Sequence, residues 1–260
     1  VQTLTESGHH LADGILNYRS AKKRMEQAET LLKAIEEDGR IHARFEPTGT
    51  CTGRFSSKKP NLQNIGCGKL RTCFIPDDGH RLVVADYSQV ELRIAAVIAG
   101  DRKMIEAYDQ GIDLHRQTAS IILGKPMEGV SKDNRQLGKA VNFGLMYGQK
   151  KGGLVRSSKA TYGVTITLKE AESFMQKIFD EYQQLRVWHR KSWQLVAETL
   201  TQEIRTVLGR RRWLLTGSGN KVGWKRFTDI VNTPVQGGCA DALKTAMILL
   251  QSKLPDGVCI

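Results

Sequence analysis

The sequence predicts an α+β fold in which a helical insertion separates two strand-bearing ends. Three observations carry this expectation. Strand candidates occur only before about residue 90 and after about residue 204. Between about 101 and 195 the apolar residues recur at helical spacing, interrupted by "LGKPMEGVSK" and "GQKKGG". The chain has no internal repeat or low-complexity tract, and 260 residues suffice for one large core or two modest ones.

The elements follow in order. Residues 11–37 read as mostly helical and close at Asp38-Gly39. A short strand candidate, "RIHARFE" (40–46), leads into the polar loop "TGTCTGRFSSKKPNLQNIG". "HRLVVADYSQ" then reads as an apolar strand, with Leu82, Val83, Val84 and Ala85 buried and Asp86 at its exit. "QVELRIAAVIAG" reads as a helix stopping at Gly100. After the helical middle, 204–215 reads as a hairpin around Gly209. Residues 234–253 read as a helix with Pro234 in its first turn.

Charge narrows the partner. Lys and Arg number 39 against 27 Asp and Glu, a net charge of +12. Such a surplus attracts polyanions, nucleic acid first among them. Segment 131–160 holds seven cations (Lys132, Arg135, Lys139, Lys150, Lys151, Arg156, Lys159) against Asp133 alone. Segment 205–226 holds seven more (Arg205, Arg210, Arg211, Arg212, Lys221, Lys225, Arg226) and no acid. Solvated faces account for many such runs, but two of them flanking an apolar body suit a phosphate-tracking groove better. A membrane partner is not expected, because there is no lysine-rich amphipathic stretch, lipidation motif or membrane-length apolar run. Cys51, Cys67, Cys73, Cys239 and Cys259 are odd in number and lack paired C-x-x-C spacing, which favours a reducing compartment over a disulfide framework or zinc ribbon. No secretory leader is visible. Val1 is not an initiator Met and the chain stops inside the apolar run "GVCI", so the sequence reads as cut at both ends.

The stretch "RQLGKAVNFGLMYG" (135–148) has two faces. Leu137, Val141, Gly144 and Leu145 form an apolar stripe. Arg135, Lys139, Phe143 and Tyr147 recur every four residues, two positions out of phase. At about 100° per residue that offset is about 200°, nearly opposite the core. Cations followed by rings on one line suit phosphate oxygens and flat bases. Asp86, at the mouth of an apolar strand, needs a cation or hydrogen bonds to stay charged, and is either a cap for the next helix or a ligand. Ser88 and Glu91 together make an S-x-x-E capping box that explains both, although Glu91 can serve a second use.

Taken together, "VVADYSQVELRIAA" and "RQLGKAVNFGLMYG" resemble two polymerase motifs of the family A DNA polymerases, the bacterial polymerase I group and its phage relatives. "TGRFSSKKPNLQNI" (52–65), "DLHRQTA" (113–119) and "TPVQGGCADALKTAM" (233–247) match in the same order. The resemblance covers the chain from about residue 10 onward. It implies a right-hand polymerase core with an antiparallel palm sheet, a helical fingers insertion and a partial thumb. The implied divisions are a partial thumb at 1–39, palm at 40–105, fingers at 106–195 and further palm at 196–260. A cytoplasmic location in a bacterial or phage-infected cell follows from the same likeness.

By that resemblance the partners would be primer-template DNA and dNTPs, and the cofactor two Mg²⁺ ions. Asp86 would be a catalytic metal ligand and the carbonyl of Tyr87 a further ligand. Lys139 would act in catalysis and, with Arg135, face the triphosphate. Phe143 would lie against sugar and base, and Tyr147 would hold the templating position. Phe143, where a Tyr is the alternative, implies discrimination against dideoxynucleotides. Glu91 would reject a 2′-hydroxyl, and Gln89 belongs to the same nucleotide-facing set. His115, just inside a helix whose expected cap is Asp113, would touch the β-phosphate. Arg54 and Gln236 would read minor-groove acceptors common to all base pairs. Asn61, Gln63 and Asn232 would contact the primer–template. One departure is Thr228, where the family usually carries Arg; Arg226 is nearby but out of register.

A two-metal site needs more than one carboxylate, because a single Asp cannot hold both ions and offset their charge. In the family the second comes from a His-Asp-Glu hairpin motif, and the sequence ends before any such motif. The expectation is that residues 1–260 alone do not polymerise DNA at a useful rate. A longer parent chain or a second polypeptide would supply the missing motif. Without that hairpin the palm sheet is expected to keep an open apolar edge. Two competing readings are a nucleic-acid-binding scaffold without chemistry, and a single-subunit RNA polymerase, which Glu91 in the sugar-gate position disfavours.

Overall fold

The computed structural model describes residues 10–66, 68–198, 201–215, 223–255 and 258, so Cys67, Cys259 and Lys221 lie outside the described residues. The architecture is α+β, rich in helix with small antiparallel sheets, as the sequence predicts. It divides into two compact units, residues 1–86 and 87–260. Among the described residues, no helix is long and apolar enough to cross a membrane.

In the first unit, helix α1 (His10–Leu32) ends earlier than its apolar pattern suggests. The chain reverses over Asp38 and Gly39, where Glu36 N–H donates to the Arg40 carbonyl at 2.8 Å and Gly39 takes a φ of 76°. Strand β1 (Arg44–Glu46) pairs antiparallel with β2 (Ser56–Lys58), Phe45 opposite Ser57. β1 falls at the end of the predicted strand, whereas β2 lies in what reads as a loop. Its sequence has no apolar alternation; a hydroxyl anchors it instead. Buried Ser57 donates from Oγ to the Pro60 carbonyl and accepts from Leu62 N–H, both at 3.1 Å. The turn is thereby held by hydrogen bonds that periodicity does not reveal.

The strand expected at Leu82–Ala85 is absent. Residues 81–87 have no regular secondary structure, and Leu82, Val83 and Val84 are 62%, 90% and 92% exposed. An apolar strand is stable only when neighbouring strands take up its backbone groups and cover its side chains. Among the described residues no strand pairs with this segment. Asp86 is accordingly exposed, not set against a low-dielectric core.

The second unit is built on helices α2 (Val90–Ala99), α3 (Arg102–Asp109), α4 (Leu114–Leu123), α5 (Lys132–Met146), α6 (Lys151–Tyr162), α7 (Leu168–Glu181), α8 (Gln183–Glu198) and α9 (Gly223–Gln251), with a hairpin of β3 (Thr201–Arg205) and β4 (Arg211–Leu215). Leu92, Met104, Leu114, Ile122, Val141, Leu145, Leu154, Ile178, Tyr182 and Val235 share one core. Asp101, 2% exposed, ties two helix starts together. Its Oδ1 accepts from Met104 N–H of α3 at 3.3 Å, and its Oδ2 accepts from Gln184 and Leu185 N–H of α8 at 3.1 and 3.3 Å. Helix N-termini leave donors unpaired, and one carboxylate answers both ends.

The hairpin turns at Gly209 as expected, with φ 83°, and Ile204, Leu214 and Ile230 seat it on α9. Two cations of the second basic run are internal fasteners. Arg210 pairs with Asp241 at 2.9 Å, and Arg212 donates to the Thr233 hydroxyl at 2.6 Å and reaches Asp229 at 3.5 Å. Arg205 and Arg211 share Glu203 at the surface. Helix α9 does not begin at Pro234; it runs through it. Proline removes one backbone donor, but buried Ile230, Val231 and Val235 hold that stretch in place. Thr233 also donates from its hydroxyl to the Asp229 carbonyl at 2.6 Å.

α4 and α5 meet closely at Gly138, where an added Cβ would lie 2.1 Å from the His115 carbonyl oxygen and 3.0 Å from the Ala119 nitrogen. Backbone cannot swing aside as a side chain does. Gly138→Ala is therefore expected to destabilise the protein by about 1–3 kcal/mol in urea unfolding. Gly14→Ala on α1, with nothing within 4 Å, should instead be neutral or stabilising by up to about 1 kcal/mol. Equal behaviour of the two variants would contradict this packing.

Candidate functional site

The site is built around α5. Ser131 opens this helix with a reciprocal cap: its hydroxyl accepts from Asn134 N–H at 3.1 Å, and the Asn134 amide oxygen accepts from Ser131 N–H at 3.4 Å. Leu137, Gly138, Ala140, Val141, Gly144 and Leu145 are buried, as the apolar stripe requires. The helix ends at Met146 with Tyr147 as its C-cap, and Gly148 follows at φ 64° against the Phe227 ring.

Arg135, Lys139, Phe143 and Tyr147 lie on the other face, but all four are half-buried, not fully exposed. Residues of α2, α4 and α6 flank them. Phe143 and Tyr147 stack with centroids 5.9 Å apart and planes 18° apart. His115 of α4 lies 5.7 Å from Phe143. The Lys139 ammonium lies 6.0 Å from the Phe143 ring and 5.9 Å from Tyr162 of α6. The stripe is thus a row of two cations and two rings, about 18 Å long by helical rise.

At the cationic end, Asp113 caps α4 as expected, accepting from His115 N–H at 3.0 Å and Arg116 N–H at 3.4 Å. Its other oxygen accepts from Arg135 Nε at 2.6 Å. Burial raises the Asp113 pKa. The Arg135 hydrogen bond and charge, with the two backbone donors, outweigh that and leave it below the ordinary carboxylate value. Gln89, in the left-handed region at φ 54°, donates to Asp113 at 3.3 Å and accepts from the Tyr108 hydroxyl at 3.3 Å. The Arg93 guanidinium covers Tyr108 at 4.2 Å.

At the aromatic end, Tyr147 donates its hydroxyl to Glu91. The capping box expected from Ser88 and Glu91 does not form. α2 is opened by Gln89 without a side-chain cap, and the Ser88 carbonyl accepts from Arg93 Nε at 3.1 Å. A left-handed Gln89 changes the chain direction before Val90, and Glu91 serves the neighbouring helix instead.

The remaining predicted residues are not drawn into this row. Asp86, the last residue of the first unit, and Tyr87, the first of the second, are both exposed. In the first unit, Asn61 caps a short turn by accepting from Gln63 N–H at 3.0 Å. Asn61 also lines a cavity of about 240 Å³ with Lys23, Gln27, Thr30 and Asn64. Gln63 and Arg54 are exposed. On α9, Asn232 and Gln236 are half-buried one turn apart, and the buried Asn232 amide oxygen has no hydrogen-bond partner among the described residues. Sequence reasoning missed Asn142, Tyr108 and Tyr162. Asn142 did carry a signal, a polar residue beside the apolar stripe of α5; the two tyrosines carried none.

Asp86 and the Tyr87 carbonyl are hard oxygen donors of the kind Mg²⁺ takes. They do not fit a two-ion site by themselves, because they bring one carboxylate. Among the described residues there is no group of three His, Cys, Asp or Glu side chains able to hold a metal ion. What the arrangement can do is bind a flat, anionic ligand along α5, with donors at one end and rings at the other.

Comparison with known proteins gives the family of the chain. Residues 1–258 match the family model described as DNA polymerase family A. DNA polymerase I of Aquifex aeolicus is 39% identical over 240 residues, 92% of this chain and 40% of that protein. The thermostable DNA polymerase I of Thermus thermophilus is 35% identical, over 95% of this chain and 30% of its own length. The chain thus spans less than half the length of these relatives. A solved structure, the POL domain of Pol1 from M. smegmatis in complex with DNA primer-template and dNTP, superposes with a TM-score of 0.84 at 34% identity. The match covers 96% of this chain and 44% of that one.

Two buried imidazoles make stability depend on pH. Burial pushes His115 down to about 4; Asp113 opposes the shift, and Arg135 and Lys139 add to it. Burial alone takes His189 to about 4, within an aromatic cluster of Phe179, Trp188 and Phe227. The unfolded chain takes up these protons near pH 6.5, well before the folded one. Their stabilising effect is therefore complete above about 6.5 and is lost as pH falls towards 4. The slope is on the order of 1.4 kcal/mol per pH unit for each histidine. Urea unfolding at pH 7.5 and pH 5 should show this loss, and His189→Phe should flatten it. A stability unchanged over that interval would refute it.

Proposed function

Because the chain belongs to DNA polymerase family A, we propose that it is the nucleotide-selecting core of template-directed DNA synthesis, serving nucleotidyl transfer from a dNTP to a primer 3′-hydroxyl. The observation that supports this most is the row Arg135, Lys139, Phe143 and Tyr147 on α5, with His115 and Glu91 beside it. Arg135 and Lys139 take the triphosphate. Asp113 engages only Nε of Arg135, and among the described residues the terminal amino groups make no hydrogen bond. They remain available as paired donors to phosphate oxygens. His115 donates to the β-phosphate, Phe143 meets sugar and base, and Tyr147 holds the template position. Its hydrogen bond to Glu91 ties that position to the residue that excludes a 2′-hydroxyl, which favours deoxynucleotides over the substrates of an RNA polymerase.

In this reading residues 1–39, with α1, belong to a thumb, residues 106–195 to the fingers, and residues 40–105 and 196–260 to the palm. Arg54, Asn61, Gln63, Asn232 and Gln236 contact primer-template DNA. The reading calls for two Mg²⁺ ions, towards which this chain offers Asp86 and the Tyr87 carbonyl. A second carboxylate would come from a longer parent chain or a second polypeptide, and the 260-residue chain alone does not extend primers at a useful rate.

The test is dNTP capture by the protein bound to primer-template DNA, together with primer extension. A charge-assisted bond contributes about 1.5–3 kcal/mol, so Lys139→Ala should weaken dNTP capture about ten- to hundredfold while duplex binding changes less than twofold. Asp86→Ala should leave duplex binding intact and abolish extension in the enzyme completed by the missing motif. Undiminished dNTP capture by the Lys139 variant would overturn the placement of the nucleotide. Extension that survives loss of Asp86 would leave only a DNA-binding scaffold.

A further inference from the structure

Asn142 is 5% exposed, on α5 one position before Phe143, and makes contacts that the nucleotide reading does not use. Its amide nitrogen lies 3.0 Å from His115 Nδ1 and 3.4 Å from the Leu114 carbonyl oxygen, and its amide oxygen accepts from the Thr118 hydroxyl at 2.8 Å. The orientation of the amide follows from chemistry. A backbone carbonyl only accepts, so the group facing Leu114 must be the NH₂. Thr118, fully buried, then donates to the amide oxygen. One NH₂ hydrogen serves Leu114 and the other points to His115 Nδ1, which must receive it through its lone pair. A neutral imidazole carries one proton, and only Nε2 is left for it.

We propose that Asn142, itself oriented by Thr118 and Leu114, is a positioning residue that holds His115 in the Nε2–H tautomer, so that the ring presents a donor to a phosphate oxygen. The opposite tautomer would turn a lone pair towards that anion and repel it. The ring has no need to be charged for this, in keeping with its burial between Arg135, Lys139 and Asp113. This inference rests on the nucleotide reading above for the identity of the ligand, but not for the tautomer.

The test has two arms. With ¹⁵N-labelled histidine, and His115→Gln to assign the resonance, nitrogen shifts at pH 7.5 report which ring atom bears the proton. The wild-type chain should show Nε2 protonated and Nδ1 bare. Asn142→Asp, which replaces a donor by an acceptor, should protonate Nδ1. A protonated Nδ1 in the wild type, or a bare one in the Asp variant, would overturn the proposal; the wild-type spectrum decides even if the variant fails to fold. In the second arm, dNTP affinity in the primer-template complex is measured for Asn142→Leu with His115 present and with His115→Ala. A neutral hydrogen bond predicts a loss of about three- to tenfold in the first background and less than twofold in the second. Equal losses would show a packing role only and sink the positioning claim. Absence of dNTP binding by the wild type would overturn the nucleotide reading, while the tautomer stands on its spectrum.

Discussion

The close approach of α4 and α5 at Gly138 is the constraint on which the site depends. With hydrogen in place of a side chain, the His115 carbonyl can lie against the α5 backbone, which an added Cβ at 2.1 Å would prevent. That approach fixes what stands beside what. One helical turn along α5, Asn142 reaches the His115 ring, and towards the start of the helix Arg135 reaches Asp113. Were the helices moved apart by a methyl group, every one of these hydrogen bonds would lengthen together. The glycine acts on the chemistry through backbone distance alone.

Charge in the row is balanced in a way that suits an anionic ligand. Asp113 spends its oxygens on two backbone donors, Arg135 and Gln89, so it holds one cation in place without neutralising the row. Lys139 lies near two aromatic rings whose faces attract it, and among the described residues it forms no salt bridge. The two rings beyond it keep the other end of the row apolar, and Glu91 closes that end through Tyr147. By contrast, Arg210 and Arg212 of the second basic run are occupied by Asp241, Asp229 and Thr233, so these two members of that run are structural. Cation count alone did not distinguish the two uses; the position of acids far away in sequence did.

Much of the fold was legible where local rules govern. The helix breaks at Gly100, the cap at Asp113 and the turn at Gly209 follow from backbone preferences of single residues, and each is found. Where a feature depends on a partner, the reading failed. Leu82–Ala85 has the composition of a buried strand but no described strand pairs with it, and β2 forms from polar residues because Ser57 anchors the turn. Ser88 and Glu91 have the spacing of a capping box, yet the left-handed Gln89 redirects the chain and Glu91 finds Tyr147.

The sequence by itself determined that one helix would carry two cations and two rings along a single line, because a repeat of four residues returns to the same side of any α-helix. Whether that line faced water or other elements was decided only by tertiary structure. Asp113 at the cap of α4, His115 of α4, Glu91 of α2 and Tyr162 of α6 each lie more than 20 residues in the chain from the member of the row that they meet. Helical periodicity is a property of neighbours in sequence, and it is silent on which neighbours arrive through space.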